Sequence, residues 1–198
     1  MVELLYLYDD LPVIPAPTME TVGQASSSSG DKEFFPVIEP SGIVVGKATR
    51  TYCHSGSKVL HPVVHLHIID RYGHMYLQKR SMKKDIQPGR WDTAVGGHVD
   101  FGETILEALF RESSEELKFT EYNPIHVISY EFESEIEREF VSVFTAIGSF
   151  ELTPDQDEVD EGRWWTFEDI DAGLGKGIFT PNFESEYQKI KQSLLALL

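Results

Sequence analysis

Residues 97–119 read GHVDFGETILEALFRESSEELKF. Ile105, Leu106, Leu109, Phe110, Ser113 and Leu117 recur near a spacing of 3.6, which predicts a helix from about Glu103 to Leu117 with one buried stripe. The other face is acidic. Glu112, Glu115 and Glu116 stand at i, i+3 and i+4, so three carboxylates gather on one side. Like charges at this spacing disfavour a helix by about 0.2–0.5 kcal/mol each and raise one another's pKa. A hard divalent cation with oxygen ligands removes the conflict. Three glutamates alone read most simply as a solvated face. The wider spacing changes that reading: Gly97, five residues, Glu103, seven residues, Arg111-Glu112, two residues, then Glu115-Glu116.

Outward from this helix, Val63 to Ile69 and Met75 to Gln78 are strand-like runs joined by the turn signal Asp70-Arg71-Tyr72-Gly73. A second pair, Pro124 to Phe132 and Glu139 to Ile147, flanks an acidic connection. Thr166 with Asp169 reads as a capped short helix start, and Thr180-Pro181 opens a last helix carrying Phe183, Tyr187, Ile190 and Leu194. Strands interleaved with helices predict a mixed sheet covered by helices on both faces. Residues 1–33 differ in kind, with Pro12, Pro15 and Pro17 followed by Ser26 to Ser29 and Gly30. They read as an N-terminal arm or linker with a poorly fixed end, ahead of one domain at 34–198. Leu4, Leu5, Tyr6 and Leu7 are its candidates for docking on the body or on a second copy of the chain.

The 198 residues are 41% hydrophobic, enough for one domain with a core. Lys and Arg total 17 against 33 Asp and Glu, a net charge of −16, which argues against general binding to nucleic-acid backbones. Cys53 is the only cysteine, so no intramolecular disulfide is available and a reducing compartment, the cytoplasm, is expected. No apolar run approaches the roughly 18 residues needed to span a bilayer, so no membrane partner is expected.

The 97–119 spacing resembles the signature of the Nudix hydrolase family, G-x5-E-x7-R-E-U-x-E-E-x-G-U. Six of its seven glycine and charged positions match; Ser113 departs at the first apolar position and Lys118 at the last Gly. The resemblance implies an α+β fold, the Nudix α/β/α sandwich with a loop-helix-loop, and an enzyme cleaving a phosphoanhydride bond with Mg2+ or Mn2+. By position, Glu112, Glu115 and Glu116 become metal ligands, and Glu103 and Arg111 orienting partners. The general base stays open between Glu112 and a loop glutamate, Glu158 or Glu161. The catalytic set expected from the resemblance is Glu112, Glu116 and Glu161.

Beyond the motif, residues 34–183 look like type I isopentenyl diphosphate isomerase, a Nudix-fold enzyme. The likeness lies in CHSGSKVLHPVVHLHI, LQKRSMKKDIQPGRWDTAVGGH, the Glu137-Arg138-Glu139 triplet and DEVDEGRWWTFEDI. It implies a second metal site from His54, His61, His98, Glu137 and Glu139, a donor set suited to Mn2+ or Zn2+. It also places the isomerase cysteine on Gly96, which cannot shuttle a proton, and its shielding tryptophan near Asn182. The branch implied is that of isomerase-like bacterial Nudix hydrolases.

The segment Lys79 to Arg90 holds five basic residues and one acid in an otherwise acidic chain. The isomerase match puts diphosphate-binding residues on Arg50, Arg80 and Lys84, where Arg offers bidentate contacts and Lys a point charge. The expected partner is a small phosphorylated substrate, a nucleoside diphosphate derivative or similar metabolite. Candidate pocket walls are Phe101, Tyr130, Phe132, Trp164 and Phe179. Two other functions remain open from the sequence: isopentenyl diphosphate isomerisation, and a noncatalytic diphosphate-ligand sensor, against which the intact glutamates argue.

Overall fold

A computed structural model of the chain describes residues 1–7, 10–15, 33–83, 87–155 and 159–198. In chain order the elements are β1 (Phe34–Ile38), β2 (Val44–Thr49), α1 (Arg50–Cys53), β3 (Leu60–Asp70), β4 (Met75–Arg80), β5 (Trp91–Asp92), β6 (Val95–His98), α2 (Ile105–Leu117), β7 (Ile125–Glu133), β8 (Arg138–Gly148), β9 (Val159–Trp165), α3 (Phe167–Gly173) and α4 (Pro181–Leu195). A mixed sheet runs β5-β4-β3-β8-β7, with β6 pairing β3 and β9 pairing β4, while β1 and β2 pair separately. Both expected hairpins are present. Gly73 closes the first at φ +82, with Asp70 Oδ1 accepting the amides of Tyr72 and His74 at 2.8 and 2.9 Å.

The residues cluster into two compact units, Met1–Val64 with Gly97–Ala108 and Ser129–Ser142, and His65–Gly96 with Leu109–Ile128 and Val143–Leu198. In the first, Ile38, Val44, Leu60 and Phe140 form a buried cluster to which Val2, Leu4, Tyr6, Leu11 and Phe101 add. The expectation of a poorly fixed N-terminus is therefore corrected for residues 1–7 and 10–15. Leu5 bridges Ile43 and Val13 bridges Lys47, the Ile14 amide donates to the Lys47 carbonyl at 2.7 Å, and Tyr6 packs edge-on against Phe101. Residues 16–32 of the expected arm lie outside the described residues. The β1–β2 pair went unforeseen because FFPVI and VVGKAT show no clean apolar–polar alternation in sequence, although burial does alternate along β2.

In the second unit, β4 pairs β9 antiparallel over six residues, and Phe179, Phe183, Tyr187, Ile190 and Leu194 are buried. The α4 stripe is the one expected. Its cap is doubly used: Thr180 Oγ1 accepts the Phe183 amide at 3.1 Å and donates to Asp92 Oδ1 at 3.0 Å. Thr166 caps α3 in the same way, accepting from Asp169 at 3.0 Å. Because Thr180 is buried and supplies both bonds, Thr180→Ala should lower stability by about 1–2 kcal/mol in urea denaturation.

Candidate active site

The acidic helix begins two residues later than its spacing suggested, because Thr104 takes the cap. Thr104 Oγ1 accepts the Glu107 amide at 3.2 Å and Glu107 Oε2 accepts the Thr104 amide at 2.8 Å, a reciprocal capping box. Just ahead of it, Glu103 Oε2 accepts the Asp100 amide at 3.0 Å, so this carboxylate fixes the turn entering the helix. At the other end Lys118 takes the left-handed conformation, φ +54, and its amide reaches the Ser114 carbonyl at 3.1 Å. A lysine thus occupies the backbone conformation for which glycine is the usual choice, and the helix ends where the motif requires. Ser113 is fully buried at an apolar position, its hydroxyl paired with Tyr122 at 2.9 Å.

On the acidic face, Arg111 Nη1 lies 2.8 Å from Glu112 Oε1 and 3.5 Å from Glu115 Oε2. One guanidinium therefore offsets part of the repulsion between the two. Glu115 is mostly exposed, and Glu112 is largely covered. Glu116 accepts at Oε2 from Gln78 Nε2 on β4 at 3.0 Å. Gln78 is buried and its Oε1 has no hydrogen-bond partner. Sequence reasoning missed Gln78, since nothing in a strand-end glutamine announces a helix partner 38 residues away.

The isomerase-like positions converge. His54, His61 and His98 place one nitrogen each within 4.8 Å of one another. His54 Nε2 and His98 Nε2 are 3.0 Å apart, about the separation of two adjacent ligands on one cation with bonds of about 2.1 Å. Glu137 Oε2 stands 3.8 Å from His54 Nε2, and Glu139 Oε1 stands 3.8 Å from His98 Nε2. His61 Nδ1–H donates to the Val59 carbonyl at 3.1 Å, which leaves Nε2 as the lone-pair nitrogen. That Nε2 is buried without a hydrogen-bond partner, so the chemistry of the donor set fits a divalent cation. Phe35 stacks on His98 at 4.4 Å, and the Arg50 guanidinium lies over the same phenyl ring at 5.9 Å. Burial first, with Arg50 adding to it, pulls the His54 imidazole below its ordinary value, and burial pulls His61 down to about 4. Burial pushes the Glu137 carboxyl up, with Arg50 and Lys58 opposing.

Arg50 pairs with Glu33 at 3.2 Å beside the histidines, and Arg80 pairs with Asp92 at 3.4 Å in the other unit. Lys84 lies outside the described residues, as does Glu158. Glu161, expected on a loop, lies instead within β9, because the strand starts at Val159 and pairs Glu161 with Lys79; it is half exposed, with Lys79 Nζ at 4.0 Å. Of the candidate walls, Phe101 joins Phe34, Lys47, Glu33 and Asp100 around a cavity of about 320 Å³. Phe179 is instead core, packed on Trp165 and Phe183.

A second buried polar cluster was not foreseen. Glu186 on α4 is 2% exposed, and its carboxylate meets His65 Nδ1 at 2.8 Å and His67 Nε2 at 2.7 Å. The sequence held one sign of it, a glutamate on the stripe of Phe183, Tyr187 and Ile190.

Residues 59–183 match the NUDIX domain, so the chain belongs to the Nudix family. It is 30% identical to an isopentenyl-diphosphate Delta-isomerase of Cutibacterium acnes over 73% of this chain and 79% of that one. It is 29% identical to an uncharacterised Nudix hydrolase of Yersinia pestis over 76% of this chain and 81% of that one. The crystal structure of Deinococcus radiodurans DR0079 superposes with a TM-score of 0.70 at 23% identity, covering 80% of this chain and 99% of that one. The fold is the α+β Nudix fold, and the chain is an enzyme of the Nudix hydrolase type, acting on diphosphate bonds, in the isomerase-like branch.

His61 is uncharged in the folded chain and an ordinary imidazole when unfolded, so its depressed pKa works against the fold in acid. In chelator-treated protein, stability holds above pH 6.5 and falls toward pH 4 by an amount on the order of 3 kcal/mol. Urea denaturation across that range should show a flatter profile in His61→Asn.

Proposed function

We propose that the chain is a Mg2+- or Mn2+-dependent hydrolase that cleaves the diphosphate linkage of a nucleoside diphosphate derivative or a similar small phosphorylated metabolite, with residues 34–198 as the catalytic domain. The observation that carries this reading is the complete Arg111-Glu112…Glu115-Glu116 set on α2, with Glu116 held by Gln78 at 3.0 Å. A cation bound there supplies phosphate charge neutralisation and activation of water. Glu112, Glu115 and Glu116 would hold it, with Arg111 beside the first two and Gln78 bonded to the third. Glu161 is the candidate to accept the proton of the attacking water, alongside Glu112. Arg50, Arg80 and Lys84 are the candidate phosphate contacts.

His54, His61, His98, Glu137 and Glu139 are proposed as a second cation site, on the strength of the orphaned His61 Nε2. This set also favours a second reading, isopentenyl diphosphate isomerisation. Two observations weigh against it. Gly96 has no side chain, and Cys53 is fully buried with its thiol pushed up to about 12 by burial, so neither position offers a thiolate.

A metal-supplemented panel of nucleotide sugars, dinucleotides, coenzyme A, deoxynucleotides and prenyl diphosphates tests the proposal. One member should be hydrolysed only with Mg2+ or Mn2+, and Glu116→Gln should lower its kcat at least about a hundredfold. Unchanged turnover in Glu116→Gln would remove the metal assignment. Isopentenyl diphosphate in deuterated water should take up no deuterium by NMR.

A further inference from the structure

A buried side-chain amide offers a nitrogen that donates and an oxygen that accepts, and Gln78 uses only the first. The residue is 8% exposed, and its Nε2 donates to Glu116 Oε2 at 3.0 Å. Its Oε1 is buried with no hydrogen-bond partner among the described residues. Chemistry fixes which end is which: an ionised carboxylate only accepts, so the amide nitrogen faces Glu116 and the oxygen turns elsewhere. Bond lengths of about 1.23 and 1.33 Å put the two ends of one amide about 2.2 Å apart, so Oε1 stands no more than about 5.2 Å from Glu116 Oε2. Two residues along β4 and on the same face, Arg80 bonds Asp92, the residue opposite Gln78 on β5. The partner of Glu116 and a candidate phosphate contact therefore share one face of one strand. A tie between β4 and α2 requires only the Nε2 end, and an acceptor buried without a donor destabilises the fold.

We propose that Gln78 is the water-positioning residue of the hydrolysis, its Oε1 accepting a hydrogen bond from the attacking water beside Glu116. This role rests on the hydrolase reading. A water that attacks phosphorus carries two protons. Its oxygen forms the new P–O bond, one proton passes to the candidate base Glu112, one helical turn before Glu116, and the bridging oxygen leaves with the electron pair of the P–O bond that breaks. The second proton stays on the water through the attack and needs an acceptor too weakly basic to remove it. An amide carbonyl oxygen is such an acceptor. Held through that proton, the water presents a lone pair to phosphorus in a fixed direction.

Crystals of the full chain soaked in Mn2+ locate the ion by its anomalous scattering. A water on the ion held by Glu112, Glu115 and Glu116 should lie within about 3.2 Å of Gln78 Oε1. Kinetics at saturating metal are then measured on the panel member that the wild type hydrolyses. Gln78→Met should lower kcat at least about thirtyfold with KM within about threefold of wild type, the pattern of an interaction made in the transition state. Gln78→Lys keeps a donor for Glu116 but has no acceptor, so it should recover none of that loss. Recovery by Gln78→Lys to within about threefold of the wild-type kcat would reduce Gln78 to a holder of Glu116 and overturn the proposal. A Gln78 Oε1 that ligates the ion directly, or that pairs with a protein group, would overturn it as well. Each of these results leaves the hydrolase reading standing. No ion at Glu112, Glu115 and Glu116, together with no panel member hydrolysed, would overturn both.

Discussion

Three carboxylates on one face of one helix repel each other, and the neighbourhood of α2 is arranged around that repulsion. Arg111 lies across Glu112 and Glu115 at 2.8 and 3.5 Å, and Gln78 reaches from β4 to Glu116 at 3.0 Å. These contacts place a guanidinium against Glu112 and Glu115 and a neutral amide against Glu116. A divalent cation in the proposed site would complete the neutralisation, and the same groups that tolerate the repulsion would orient its ligands. The helix ends serve the same purpose. The Thr104–Glu107 box fixes where the helix starts, and Lys118 accepts a left-handed backbone so that it stops after Leu117.

The histidines of β3 show how burial separates chemistry along one strand. His61 is buried with its Nε2 lacking a hydrogen-bond partner and its other nitrogen tied to a backbone carbonyl, which leaves a lone-pair nitrogen in the group it forms with His54 and His98. His67 is equally buried but satisfied, by Glu186 on one side and Thr93 on the other. His54, His61 and His98 meet beside Glu137 and Glu139, while residue 96 carries no side chain. Gly96 is the residue on which hydrolase and isomerase readings divide.

Much of this was legible in the sequence for physical reasons. The 3.6 spacing of Ile105 to Leu117 and the Thr180-Pro181 start are local signals, and both helices follow them. The grouping of His54, His61, His98, Glu137 and Glu139 was legible only through resemblance, since spacing alone leaves His54, His61 and His98 as scattered imidazoles. What stayed hidden is non-local. Gln78 finds Glu116 and His65 finds Glu186 only after strands and helices have packed, the latter pair across 121 residues. The N-terminal segment was misjudged at residues 1–7 and 10–15 because its proline and serine content outweighed the apolar Leu4, Tyr6, Leu11 and Ile14 that dock beside β2.

Bond cleavage at phosphorus is the claim on which the rest depends, and isotope tracing addresses it directly. Nucleoside diphosphate derivatives and isopentenyl diphosphate are incubated with the chain and Mg2+ or Mn2+ in 18O-enriched, deuterated water, and 31P and 1H NMR are recorded together. The expected result is 18O in a single phosphate product of one nucleoside diphosphate derivative, with no carbon-bound deuterium in isopentenyl diphosphate. Deuterium in isopentenyl diphosphate with no 18O in any phosphate would contradict it, and would make the chain an isomerase working without the cysteine.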